Sequence, residues 1–206
     1  MPSKLAPTKA NLIWAKSSLK RAKKGYELLD KKRTILIKEM MDLNKRAGEL
    51  QKEIEDSFKE SYEALEEATI TMGSETIYEI AKTAKREEPY KIQFRSVMGV
   101  ELPEIKYYQN RLKVDHSIHK TTTAFDLAEA DMHKLKELIY ELAEVETSVF
   151  KLAREIKKTG KRANALDKIQ IPKFESIKTE IDNTLQEKER EDFFRLKKVK
   201  DKKSKD

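Results

Sequence analysis

The chain is 206 residues long with a formal net charge of +7; 39% of its residues are charged, 38% are hydrophobic, and none is cysteine. That balance excludes a thick globular core, disulfide bracing and thiolate chemistry, and it suits long solvated helices that touch along narrow stripes. No apolar run approaches the roughly twenty residues of a membrane span, and Leu12-Ile13-Trp14-Ala15 is too short for a signal-peptide core. A soluble cytoplasmic protein is expected.

Pro7 and Pro89 bracket one long stretch without proline, and Pro103 and Pro172 bracket another. Proline costs about 3 kcal/mol inside a helix, so its absence from both stretches predicts two very long helices. With Leu12 at heptad position a, the a series reads Leu12, Leu19, Tyr26, Arg33, Met40, Ala47 and Ile54. The d series reads Ala15, Ala22, Leu29, Leu36, Leu43 and Leu50, so only Arg33 breaks an apolar coiled-coil seam. Past Ile54 the large apolar residues Phe58 and Leu65, with Ala68, suggest a four-residue stutter, and the helix is expected from Thr8 to Ala68. Gly25 and Gly48 within it either weaken the helix or mark a close approach of another backbone.

The middle of the chain has a different texture. Gly73-Ser74 reads as a break and a cap before a short helix through Ile77, Ile80, Ala81 and Ala84, ended by Pro89. Tyr90, Ile92 and Phe94 alternate with Lys91, Gln93 and Arg95, and Met98-Gly99 is a turn signal leading into Val100 and Leu102; a small β-hairpin is expected. Thr123 with Asp126 then signals a helix start. The second seam follows through Ala128, Leu135, Leu142, Val149, Ile156 and Ala163, with Leu138, Val145, Leu152 and Leu166 three residues further on. Ile171-Pro172 predicts a kink or short break, after which Phe174, Ile177, Ile181 and Leu185 resume the stripe.

The expected fold is therefore mainly α: a long antiparallel, left-handed coiled coil of N- and C-terminal helices with a small mid-chain insert holding a short helix and a β-hairpin. The divisions are a coiled-coil helix over 1–70, an insert over 71–121, and a second coiled-coil helix over 122–206, kinked near 170–172 and ending in a basic tail. The insert is long enough to reverse the chain, which favours pairing within one molecule over a parallel homodimer. Arg33 then falls opposite Thr159, Gly160 and Ala163, where small residues leave room for its stem.

Seven basic residues and no acid lie in residues 1–24, seven basic and two acidic residues lie in 195–206, and the remainder is net acidic. An antiparallel fold brings both basic termini to one tip that senses acidic surroundings over a Debye length. Lys16, Lys20, Arg21, Lys23, Lys24, Arg195, Lys197 and Lys198 are the candidate contacts; a merely solvated tail is the competing reading. His116 and His119, with Asp115 ahead of them and only His133 elsewhere, make a weak metal signal, and exposed histidines are preferred. Gly160-Lys161 is not a phosphate loop, because the upstream glycine is absent and Arg162 stands where Ser or Thr is required. Glu66, Glu67, Glu187 and Glu189 read as solvated carboxylates on charged faces. No catalytic residue, cofactor or metal is expected.

Certain segments resemble a known family. Val97-Met98-Gly99-Val100-Glu101-Leu102-Pro103, then Thr159-Gly160-Lys161-Arg162-Ala163-Asn164-Ala165-Leu166-Asp167, then Ile171-Pro172 and Leu185-Gln186-Glu187-Lys188-Glu189-Arg190-Glu191, are similar to the D subunit of rotary V-type and archaeal A-type ATPases. Pro7-Thr8-Lys9 with Leu12, and Gly25 followed by Leu28-Leu29 and Lys31-Lys32-Arg33, resemble that family's opening. Its pattern has a second arginine and a valine before the Asn, where this chain has Lys161 and Ala163. Arg162, Asn164, Ala165, Leu166 and Pro172 carry the motif.

The resemblance implies a central rotor shaft, itself non-catalytic, that transmits torque between a catalytic head and a membrane ion-translocating ring. It implies as partners the catalytic and regulatory head subunits, the small F subunit of the rotor, and a funnel-shaped subunit on the membrane rotor, with no nucleic acid and no membrane insertion. Tyr90, Ile92, Phe94, Val97, Met98, Gly99 and Val100 are then the hairpin's candidate partner contacts. A nucleic-acid-binding coiled coil and a homodimeric scaffold are the alternatives; the acidic body of the chain speaks against the first, and a dimer would separate the basic patches.

Overall fold

The computed structural model describes residues 5–83, 90–106 and 121–203. In chain order it holds helix α1 (Lys9–Met72), helix α2 (Ser74–Thr83), strands β1 (Lys91–Val97) and β2 (Val100–Lys106), helix α3 (Thr123–Ala165), one π-helical turn (Leu166–Gln170) and helix α4 (Ile171–Lys203). The expected mainly α fold, with long N- and C-terminal helices and a small insert containing a short helix and a two-stranded antiparallel sheet, is what forms. Contacts divide the chain into two compact units, one made of residues 1–34 with 157–206 and the other of 35–156.

Local signals set the helix ends. Thr8 caps α1, its Oγ1 accepting from the Asn11 backbone N–H at 3.2 Å. Gly73 takes φ of 82°, a conformation that L side chains resist, so α1 stops there and α2 starts. At α3 the expected cap is displaced by one residue. The carbonyl of Thr122, not Thr123, accepts the first helical bonds, from the N–H groups of Phe125 at 3.0 Å and Asp126 at 3.2 Å. Ala84 and Pro89, the expected end of α2, lie outside the described residues, as do His116 and His119.

In the unit of residues 1–34 and 157–206 the two chain ends run antiparallel. Lys23 pairs with Glu175 at 2.7 Å and Lys9 with Glu189 at 3.3 Å, one residue number rising as the other falls. Ala15, Ala22, Ala163 and Ile181 are buried along this seam, and the edges of Trp14 and Phe174 meet at a centroid distance of 5.8 Å. Arg33 falls where its stem has room: a Cβ added at Gly160 would sit 3.8 Å from Arg33 Nε, and Thr159 is buried. Gly25 similarly faces the Leu166 side chain, whereas Gly48, in the other unit, has nothing within 4 Å of an added Cβ and marks no close approach.

Of the kink or short break expected at Ile171-Pro172, the break does not form, and the irregularity there is the π turn. Ile171 is itself helical, φ −62° and ψ −53°, and its N–H donates to the Leu166 carbonyl five residues back. Proline removes one helical donor and crowds the carbonyl four residues upstream; the wide π turn just before it absorbs that conflict, and the helix continues.

In the unit of residues 35–156, Leu36 of α1 and Leu152 of α3 pack with Val100 and Leu102 of β2, joined by Met40, Leu43, Val97 and Ile156. A second cluster holds Ala47, Leu50 and Val145 with Leu138, Leu142 and Val149. Each buried Leu contributes roughly 1.5–3 kcal/mol, so these layers carry the unit. Beyond Leu50 the expected stutter is absent. Ser57, Ser61 and Ala68 are the buried residues, continuing the heptad begun at Leu12 without interruption, while Phe58 is 46% exposed. The seam accepts serine because its hydroxyl is satisfied in place: Ser61 Oγ donates to the Ser57 carbonyl at 2.7 Å.

β1 and β2 pair from Lys91↔Lys106 to Val97↔Val100. Met98 and Gly99 both take positive φ, 50° and 79°, as a primed two-residue turn requires. A two-stranded sheet is marginal alone, and this one is anchored on the helices. Arg95 meets Glu39 at 3.0 Å, and Lys151 Nζ donates to the Glu101 carbonyl at 3.0 Å. The Ile105 N–H, on the open edge of β2, donates to Glu144 Oε2 at 2.7 Å.

Candidate functional site: a lysine groove, a staggered helix end and a hairpin face

The basic residues singled out in the sequence fall into two separate groups. Lys16, Lys20, Lys23 and Lys24 of α1 share one helix face and, with Leu19, Glu27 and Lys178 of α4, line a shallow groove of about 490 Å³. Glu175 reaches Lys23. Arg21 is turned elsewhere, donating to Ser17 Oγ at 3.3 Å and Ser18 Oγ at 2.9 Å, where it covers a buried serine. Lys178 has no signal of its own in the sequence because its near neighbours Glu175, Glu180 and Asp182 mask it; the antiparallel pairing brings it to the other lysines.

Arg195, Lys197 and Lys198 do not join that groove. Since Lys9, the first residue of α1, pairs with Glu189, α4 continues for another fourteen residues past its partner's start, about 20 Å at 1.5 Å per residue. The termini are therefore staggered rather than level. On this overhanging stretch Phe193, Phe194, Leu196 and Val199 are all more than half exposed, interleaved with Arg195, Lys197 and Lys198. Arg195 lies near Glu191 and Asp192, at 3.8 and 3.9 Å. The sequence signal is that Leu196 and Val199 carry on the Phe174 to Leu185 stripe while Phe193 and Phe194 fall off it, in a helix end that the charge pattern presents as simply basic.

The hairpin's two faces have different fates. Arg95, Val97, Val100 and Leu102 lie on the face turned to the helices, so Val97 and Val100 are used in the unit's own core. Ile92, Phe94 and Met98 remain about half exposed, and Lys151 Nζ lies 5.1 Å from the Phe94 ring centroid. Tyr90 leans on Tyr140 at 5.8 Å, and Gly99 serves the turn.

In the segment around Asn164, Ala163 is buried and Leu166 half-buried, while Arg162, Asn164, Ala165 and Pro172 face solvent. Alternation of seam and solvent positions explains which members of that motif hold helices together and which are available to other molecules. Among the described residues no three His, Cys, Asp or Glu side chains come together as a metal site, and His133 is exposed. Nor is any described helix long and apolar enough to cross a membrane. At Arg46 a hydrogen bond to Glu141, reinforced by that carboxylate's charge, raises the guanidinium's pKa.

These features define a mainly helical protein with long N- and C-terminal helices and a small two-stranded sheet, and with exposed basic and apolar surfaces as its candidate contacts. The sequence model for the D subunit of ATP synthase matches residues 11–201. The chain is 40% identical over 198 residues to the V-type ATP synthase D subunit of Thermotoga neapolitana, covering 96% of this chain and 98% of that one. It is 40% identical over 196 residues to the A-type ATP synthase D subunit of Methanobrevibacter smithii, covering 94% and 85%, and 36% identical over 200 residues to its Pyrococcus abyssi A-type counterpart, covering 96% and 94%. This chain belongs to the family of ATP synthase D subunits, and so to a rotary V/A-type ATP synthase assembly.

Proposed function

We propose that this chain is the central rotor shaft of its complex, a non-catalytic subunit that carries torque between the catalytic head and the membrane ion-translocating ring. The observation that carries the reading is the staggered end of α4, where exposed apolar and basic side chains alternate past the residue that pairs with the start of α1. A helix end so exposed is costly in water and suits a sleeve of surrounding subunits. Lys16, Lys20, Lys23 and Lys24 with Lys178 meet acidic surfaces of the catalytic and regulatory head subunits, as do Arg195, Lys197 and Lys198 further along. Ile92, Phe94 and Met98 of the hairpin face the small F subunit or the funnel-shaped subunit on the membrane rotor, on the cytoplasmic side.

Mechanically, α1 has a contour of about 95 Å at 1.5 Å per residue, and pairing along a heptad seam resists twisting better than a lone helix. A shaft with unequal faces contacts the head's nucleotide sites unequally and biases which one is open. The test is single-molecule rotation. A bead fixed to a cysteine placed at exposed Lys91 should turn stepwise when ATP is given to the surface-anchored complex. Steady hydrolysis with a stationary bead defeats the proposal.

A further inference from the structure

The last third of α1 carries two seams, and among the described residues only one is fully buried. The inner one is the small-residue heptad of Ser57, Ser61 and Ala68. Offset from it by one residue, Phe58, Tyr62, Leu65, Thr69 and Met72 follow the same alternating spacing of four and three, which on a helix places them on one stripe about a quarter-turn away. Phe58 and Tyr62 are 46% and 51% exposed, and their rings stack at 4.4 Å with planes 26° apart, a preformed aromatic ledge. Leu65, Thr69 and Met72 are half-buried, and Thr69 Oγ1 already donates to the Leu65 carbonyl, so it asks nothing polar of an occupant.

We infer that this second seam receives one further helix, contributed by another subunit, and that this helix is flanked by lysine or arginine. The spacing fixes the occupant as helical, because knobs four and three residues apart match the holes of another helix and not those of a strand. Charge fixes the rest. Residues 52–72 hold seven acids and two bases, Glu55 and Glu66 border the stripe, and the one base on that border, Lys59, already lies 4.0 Å from Glu63. A second copy of this chain would bring acid against acid along the whole contact; a cationic amphipathic helix meets opposite charge on it. The surface is distinct from the hairpin face, the lysine groove and the staggered helix end.

The absence of native cysteine makes the test direct. Tyr62→Cys, and separately Phe58→Cys, carries a benzophenone maleimide in the whole purified complex, and irradiation is followed by mass-spectrometric mapping. The expected product joins either position to an apolar, lysine- or arginine-flanked helix of another subunit, while the same probe at Glu63→Cys, on the far side of α1, gives at least several-fold less of it. Adducts confined to this chain itself, to a second copy, or to an acid-flanked or non-helical segment overturn the inference, as does a complex in which neither position yields an adduct. Because the rotor reading is tested by bead rotation, a shaft that turns while position 62 finds no such helix sinks only this inference.

Discussion

Two stretches of α1 in the same unit solve the packing problem in opposite ways. Around Leu36, Leu43 and Leu50 the seam is filled by large aliphatic side chains meeting Leu152 and Val145. From Ser57 to Ala68 the same heptad positions are held by side chains so small that little apolar surface is buried, yet they are as inaccessible as the leucines. The first stretch holds by volume; the second keeps small, inaccessible side chains, with the Ser61 hydroxyl returned to the helix backbone at the Ser57 carbonyl. Register is thus kept by position rather than by hydrophobicity, and the two stretches answer differently to substitution.

The largest difference is expected from truncating the leucine layer. Leu36→Ala leaves a cavity shared by two helices and the hairpin, and should destabilise the protein by about 2–5 kcal/mol. Guanidinium titration followed by circular dichroism would check it; a loss below about 1 kcal/mol would mean that the layer collapses freely and is not the anchor described. The converse substitution belongs to the serine stretch. Ser61→Leu forces volume into a site without room and should cost about 1–3 kcal/mol, while Ser61→Ala stays close to the parent protein. If Ser61→Leu stabilised the chain, the small-residue seam would be loose rather than close.

That contrast also marks what is legible in the sequence. The heptad from Leu12 to Leu50 and the Met98-Gly99 turn can be read because each is a local pattern with one physical meaning, and Arg33 opposite Gly160 can be read because a lone charge in the seam needs small residues across from it. The stutter is a misreading that comes from following large apolar residues in preference to spacing: Phe58 and Leu65 attract the seam although Ser57, Ser61 and Ala68 keep its period. Pro172 misleads as a break because a π turn is a cooperative adjustment that no single residue announces. Of the docking residues, the α1 lysines are legible, whereas Lys178 and the stagger of α4 depend on pairing across more than a hundred residues. Composition does not reveal such offsets.

A smaller effect, opposite in sign, separates the seam from the rest of the helix surface. Gly48 sits beside buried Ala47, but an added Cβ would touch nothing within 4 Å. Gly48→Ala should therefore stabilise by roughly 0.5–1 kcal/mol through backbone entropy alone. Gly25→Ala would place its Cβ 3.5 Å from the Leu166 side chain, an ordinary contact, and should gain a similar or smaller amount. Melting both variants beside the parent protein checks the order; a Gly48→Ala variant less stable than its parent would show a hidden neighbour at that face.

The weakest expected effect comes from the ion pair beside the second leucine cluster. Arg46 donates to Glu141 Oε1 at 2.8 and 3.1 Å, yet both side chains are about half exposed, so screening removes most of the pair's value. Its pKa is raised by Glu141, and a base whose folded pKa is raised keeps its contribution at every pH below the unfolded value, losing it only as pH climbs through the folded one. For an arginine that window lies far into alkali, so the arginine gives stability no slope near neutrality. Salt is the sensitive variable instead. The small gap between the parent and Arg46→Gln, measured at low ionic strength, should close as salt approaches about 1 M, where the Debye length falls to about 3 Å. A gap that survives high salt would assign the arginine's role to its aliphatic stem lying over Ala47 and Leu50, making it part of the leucine layer rather than a charge beside it.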